Sequence, residues 1–256
     1  MNKVDERQIK IMEIINKNKH ITINELVDML GVSHLTIRRD LKTLEETQNI
    51  TITYGGMIFC KEEFSQFSKR ETENEEFKIQ IAKKAVKHVK ENDIIYIGGG
   101  SSCIQFANIL SKEKPNININ IITSCAGVAR ITSKMLFSNV TLIGGNFIDE
   151  NETMVSLFTL DVIENLNFNK AFLGCLGLTA KKGAMFIDLT VAKLKKLVAK
   201  NSQQVILLCD YDKIGKQSMA TGLNMEDIDI IITNKKAEET KEINNIKKYS
   251  VNIELI

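Results

Sequence analysis

Six short runs constrain this chain more than anything else in it: DIIYIG (93–98), NINIIT (118–123), VTLIGG (140–145), KAFLGC (170–175), QVILLC (204–209) and IDIIIT (228–233). Each is apolar at consecutive rather than alternate positions, which a strand tolerates when both of its faces are buried. Helical patterns such as FKIQIAKKAVKHVK and LTVAKLKKLVAKN lie between them. Strands of this kind joined through helices make a mostly parallel sheet, so residues 77–256 are expected to form an α/β domain with helices covering the sheet.

The first run ends in an unusual junction. IIYIGGGSSC, Ile94 to Cys103, passes from a strand into three glycines and two serines and then into a helical pattern. Such a junction gathers backbone N–H groups and the positive end of a helix at one point, which suits a phosphate. A tight strand-to-helix turn without a ligand also accounts for the glycines.

Residues 1–59 follow a different rule. Ile9, Ile11, Met12, Ile14 and Ile15 suit one face of a first helix. Thr22 followed by Glu25 is a capping box that opens a second helix, and Gly31 stops it. Ser33 then caps a third helix, on which Ile37, Leu41 and Leu44 share one buried face. The helical step puts Leu35, Thr36, Arg38, Arg39, Lys42 and Thr43 on the other side. Arginine forks to guanine edges or phosphates, threonine bonds phosphate oxygens, and an exposed leucine meets a thymine methyl. Two helices joined by GVS, the second presenting that face, make a helix-turn-helix. A solvated basic face on a small helical domain is the other reading. ITITYGGMIF, around Gly55 and Gly56, has the pattern of a β-hairpin. Residues 60–76, dense in charge and without a period, are expected to link the two domains.

Bulk properties bound the remaining choices. At 256 residues the chain is about 1.7 times an ordinary domain, which fits one mid-sized domain and one small one. A net charge of +2 argues for no partner, and residues 1–59 balance eight cations against eight acids, so any DNA footprint rests on local clustering. No segment approaches the roughly 18 apolar residues of a membrane span, and a cytoplasmic location is expected. Cysteines 60, 103, 125, 175 and 209 are scattered and the three histidines lie apart, so neither disulfides, a metal site nor a cofactor is expected.

VSHLTIRRDLKTLEE, with YGGM after it, resembles the N-terminal signature of the DeoR-type bacterial transcriptional regulators, a VSxxTIRRDLxxLE run; Val32, Ser33, Thr36, Ile37, Arg38, Arg39, Asp40, Leu41, Leu44 and Glu45 match it. The resemblance implies a winged helix-turn-helix whose helix from Ser33 enters the major groove, with the hairpin around Gly55 as the wing. Ser33, Leu35, Thr36, Arg38, Arg39, Lys42 and Thr43 are the expected DNA-binding residues. The wing departs from the pattern, because the family usually carries an arginine before it and a histidine ahead of the two glycines, where this chain has ITIT and Tyr54.

The same family appends an α/β domain resembling ribose-phosphate isomerases and CoA transferases. GGGSSC, ITSCAGVA, LIGGNF, KAFLGCLGL, FIDLTVAKLKK and LLCDYDKIG follow its order of motifs. That likeness implies an effector site for a phosphorylated sugar or related metabolite, with Gly99, Gly100, Ser101, Ser102, Cys103, Ser124, Gly144, Gly145, Asp188, Lys195, Asp210 and Lys213 as candidates. Gly98, Leu176, Thr190 and Val191 stand where family members usually have acids. The expected protein is therefore a homo-oligomeric repressor of carbohydrate genes, bound to double-stranded operator DNA and relieved by a small phosphorylated metabolite, without catalysis. A sugar-phosphate isomerase with a DNA-binding arm, and a regulator whose pocket has changed or lost its ligand, are the alternatives.

Overall fold

The hydroxyl of Thr22 accepts from the Glu25 N–H at 3.3 Å while the Glu25 carboxylate accepts from the Thr22 N–H at 2.7 Å, which is the capping box their spacing predicts. It starts α2 (Ile23–Leu30), and Gly31, at φ +64°, ends that helix by donating to the Val27 carbonyl. The computed structural model describes residues 3–18, 20–47, 50–52, 57–60, 70–148 and 151–256. The chain divides into two units, Met1–Gln66 and Phe67–Ile256.

In the first unit α1 (Lys3–Asn18), β1 (His20–Thr22), α2, α3 (His34–Thr47), β2 (Ile50–Ile52) and β3 (Met57–Cys60) follow one another. The strands form an antiparallel sheet in the order β1-β3-β2. Ile11, Ile15, Ile21, Leu26, Ile37, Leu41 and Leu44 are buried together, so the apolar stripes of all three helices meet in one core. The hairpin tip that carries Tyr54, Gly55 and Gly56 lies outside the described residues, as does most of the expected linker.

The second unit is built on a seven-stranded sheet, parallel throughout. Its members are β4 (Ile94–Ile97), β5 (Asn120–Thr123), β6 (Asn139–Leu142), β9 (Phe168–Gly174), β12 (Ser202–Leu208), β14 (Ile230–Thr233) and β15 (Asn252–Leu255), in the spatial order β15-β14-β12-β9-β4-β5-β6. Successive residues of a strand feed opposite cores: Ile95 and Ile97 pack with α4 (Glu75–Val86) and α5 (Ser101–Glu113) on one face, and Tyr96 packs with α8 (Leu189–Lys200) on the other. This is the physical content of the consecutive apolar runs.

Two expectations need correction. VTLIGG gives β6, an edge strand whose Asn139, Thr141 and Leu142 are exposed, so it is not buried on both faces. The sheet also gains β15, which pairs with β14 and carries too polar a sequence to read as a core strand. Outside the sheet, β7 (Asn146–Ile148) and β8 (Thr153–Val155) form a hairpin. Further on, β10 (Gly177–Thr179), β11 (Gly183–Phe186) and β13 (Ala220–Leu223) make a small antiparallel sheet that the apolar runs do not announce. Helices α6 (Ala126–Thr132), α7 (Leu157–Glu164) and α9 (Lys241–Ile246) complete the unit. No helix among the described residues is long and apolar enough to cross a membrane.

Candidate DNA-reading face and ligand cleft

Ser33 fixes the start of α3: its Oγ accepts from the Thr36 N–H at 3.3 Å and lies 2.9 Å from the Thr36 hydroxyl. From that start the 100° step carries Ile37, Leu41 and Leu44 into the core and leaves Leu35, Arg38, Arg39, Lys42 and Thr43 exposed. Leu35 is 72% exposed. The opposite side of the helix holds one buried acid, Asp40, which accepts two bonds from the Arg7 guanidinium on α1. That carboxylate raises the Arg7 pKa further and holds the arginine ionised.

In the second unit the carboxyl ends of β4 and β9 open onto a cleft, where loops converge in sheets of this type. It encloses about 520 Å³, counting the space open to solvent. One rim is Gly99, Gly100, Ser101 and Ser102, at the start of α5. Gly100 takes φ +100°, a conformation that excludes ordinary side chains, and its N–H donates to the Asn151 carbonyl at 3.0 Å. The first-turn N–H groups of α5 have no carbonyl one turn back and face the rim with the positive end of a 13-residue helix. Arg70 and Asn151 stand beside them.

Lys195 closes the floor. It is only 1% exposed, and its Nζ has no hydrogen-bond partner among the described residues. The ammonium lies 5.7 Å from the centre of the Tyr96 ring, and a Cβ on Gly98 would come within 2.7 Å of it. Burial pulls this lysine below its ordinary pKa. The adjoining thiol of Cys103 is pushed up to about 12, mainly by burial, and burial likewise raises the Tyr96 phenol. Leu176, Phe186, Ile187 and Val191 form the remaining wall.

Gly99, Gly100, Ser101, Ser102 and Lys195 thus come together, while the other candidates lie elsewhere. Cys103 points its sulfur at the Phe172 carbonyl inside the core, 3.8 Å away. Ser124 is buried against the Tyr96 hydroxyl at 2.8 Å. Gly144 and Gly145 pack against α7, where the Thr159 hydroxyl donates to the Gly144 carbonyl at 2.6 Å. Asp188 is the N-cap of α8 and accepts from the N–H groups of Thr190 and Val191. Lys213 pairs with Asp212 at 3.0 Å. Asp210 is buried outside the cleft lining, and burial followed by the neighbouring Asp212 raises its pKa.

The two units also match two family profiles in the order seen in the structure. Residues 7–63 match the DeoR-like helix-turn-helix domain and residues 73–235 the DeoR C terminal sensor domain. The chain belongs to the DeoR family. Among its DeoR-family relatives it is similar to the HTH-type transcriptional regulator GolR of Listeria innocua, at 33% identity over 90% of this chain and 91% of the relative. It is similar also to the lactose phosphotransferase system repressor of Staphylococcus epidermidis, at 32% identity over 94% of this chain and 96% of the relative. A solved ribose 5-phosphate isomerase A from Methanocaldococcus jannaschii aligns over 56% of each chain with a TM-score of 0.41 and 19% identity.

The cleft residues that sequence reasoning did not name as candidates are Arg70, Asn151, Gly174, Cys175, Leu176, Phe186, Ile187 and Val191. Most are apolar, and an apolar residue in an α/β chain carries no local sign that it lines a cavity rather than a core. Lys195 did carry one: it falls four residues after Val191 and three before Val198, on the buried stripe of α8.

Proposed function

We propose that this DeoR-family regulator reads operator DNA with the exposed face of α3 and adjusts its affinity when a phosphorylated sugar or related metabolite enters the cleft at Gly99–Ser102 and Lys195. The observation that carries the reading is α3 itself: Leu35, Arg38, Arg39, Lys42 and Thr43 are exposed on a helix whose opposite face is locked into a core. The metabolite switches the protein only if it binds the DNA-bound and DNA-free conformations with different affinity. Repeated half-sites suit a homo-oligomer, and a DNA-reading protein acts in the cytoplasm, so both belong to the proposal. The named relatives supply the controlled genes, which we take to be those of carbohydrate use, with repression as the sign.

Fluorescence anisotropy with a duplex selected by the protein from a random-sequence pool tests the reading. Arg39→Ala is expected to weaken specific binding by about 1–3 kcal/mol and leave binding to unrelated duplex nearly unchanged. Equal affinity of both proteins for the operator would remove Arg39 from the readout. Turnover is not part of the proposal, because the named relatives are transcriptional regulators.

A further inference from the structure

One contact in the cleft lining belongs neither to its rim nor to its floor. The Cys175 thiol donates to the Cys209 sulfur at 3.7 Å, and of the two Cys175 lines the cleft while Cys209 is buried. Strand pairing brings them together: β9 and β12 run parallel with Gly174 opposite Leu208, and each cysteine is the next residue along. Both pack into the same core, on one face of the sheet. Neighbouring strands lie about 4.8 Å apart, inside the roughly 4.4–6.8 Å that a disulfide spans between α-carbons. The sulfurs have to close from 3.7 Å to about 2.05 Å, a distance that a rotation of the half-buried Cys175 side chain covers.

The two thiols are unequal in a way that gives each a separate role. Cys175 is reached through the cleft, whereas Cys209 keeps its proton, because the Cys175 thiol beside it and burial raise its pKa. An accessible thiol with a second sulfur in contact is the arrangement in which a sulfenic acid, once formed, is captured as a disulfide before further oxidation. Cys103 is placed otherwise, with its sulfur turned to the Phe172 carbonyl at 3.8 Å.

We propose that Cys175 and Cys209 form a peroxide-sensing site, at which Cys175 is oxidised first and Cys209 closes an intramolecular disulfide. The Cys175 thiolate attacks one oxygen of hydrogen peroxide; the S–O bond forms as the O–O bond breaks, and the departing hydroxide leaves as water with the proton that the thiol gave up. The Cys209 sulfur then attacks the Cys175 sulfur, the S–S bond forms, the S–O bond breaks, and the hydroxyl leaves with the Cys209 proton as a second water. Two thiols lose two electrons and two protons, and one peroxide is reduced to two waters. The disulfide ties the ends of β9 and β12 together and draws the Cys175 sulfur toward Cys209, which gives the regulator an oxidant as a second input at the same cleft. This chemistry needs no metabolite, so its failure and that of the effector assignment are separable.

Peptide mass spectrometry tests the proposal on full-length protein treated with hydrogen peroxide, alkylated with iodoacetamide and digested with trypsin without reduction. Residues 171–181 carry Cys175 and residues 201–213 carry Cys209; the two peptides are expected to appear joined, and to separate on treatment with dithiothreitol. The joined form is expected to accumulate at least about tenfold faster than the Cys103 and Cys125 thiols are lost. Cys209→Ser is expected to leave Cys175 as a sulfenic acid that dimedone traps, and Cys175→Ser to leave Cys209 unreacted, in variants of unaltered circular dichroism. Cys175 that stays reduced, or that in the unmutated protein passes to sulfinic acid without the joined peptide, overturns the proposal. Cys175 joined instead to residues 91–112, which carry Cys103, overturns it too.

Discussion

Arg7 grips Asp40 as a fork, with Nε 2.5 Å from Oδ2 and Nη2 3.1 Å from Oδ1, tying α1 to α3. Asp40 is 3% exposed at its side chain and Arg7 23%, so the carboxylate is the dehydrated partner. Removing one member of a buried pair costs several kcal/mol, and the partial exposure of Arg7 lowers that figure. Asp40→Ala is expected to destabilise the first unit by about 1–3 kcal/mol, read from urea unfolding followed by circular dichroism. A change under about 0.5 kcal/mol would show that the fork is decorative.

Neighbouring glycines should behave oppositely. A Cβ on Gly144 meets nothing within 4 Å, whereas one on Gly145 would lie 2.4 Å from the Thr159 hydroxyl and 2.9 Å from the Val155 backbone. Gly144→Ala is expected to be neutral or to stabilise by up to about 1 kcal/mol, since it restricts the unfolded chain. Gly145→Ala should cost about 1–3 kcal/mol through overpacking. Thermal melting of the two variants side by side decides it, and equal melting temperatures would refute the packing role of Gly145.

Lys195 gives a pH signature. Its pKa in the folded protein lies below the unfolded value, so between those two values the unfolded chain binds more protons and stability rises with pH. Below the folded value both states are protonated and the full charge penalty remains. Below the ordinary lysine pKa of about 10.4, the melting temperature of the ligand-free protein is expected to climb with pH more steeply than that of Lys195→Met. A bound phosphate monoester stabilises the ammonium and should flatten the slope. Identical slopes for the two proteins would show that the lysine charge carries no penalty.

Cys175 lines the cleft and is half-buried, while Cys103, Cys125 and Cys209 are buried. Burial raises the Cys103 and Cys125 thiols, and the Cys209 thiol, 3.7 Å from that of Cys175, is raised by that neighbour and by burial. Iodoacetamide is therefore expected to modify Cys175 at least about tenfold faster than those three, since thiolate fraction and access set the rate. Peptide mass spectrometry reads each site separately. Protection of Cys175 by a sugar phosphate such as ribose 5-phosphate is the expected result, and undiminished labelling at saturation would place the ligand elsewhere.

The parts of this structure that were legible in the sequence share a physical cause. DIIYIG and KAFLGC could be read because a strand buried on both faces has few ways to be polar. The capping box at Thr22 and Glu25 could be read because its chemistry is local. β15 and the β10-β11-β13 sheet escaped because short, mixed strands are held by neighbours distant in sequence. Asp188 shows the ambiguity of a single acid: DLT reads equally as a pocket carboxylate and as a helix cap, and here its oxygen accepts from two first-turn N–H groups. The apolar wall of the cleft was illegible for a different reason, since Leu176 and Val191 resemble core residues until the space beside them is seen.

The registers described above set an order of events during folding. In the first unit β1 joins β3 by pairing His20 with Phe59, a loop of modest length, whereas β4 joins β9 by pairing Ile95 with Lys170. The floor of the cleft therefore exists only after a much longer stretch of chain has been closed into a ring, and non-local closures of that kind slow folding. A chain emerging from the ribosome is expected to finish its first unit while the cleft of the second is still unassembled. On the proposed function, each new molecule would for a time carry α3 with no means of being told to let go.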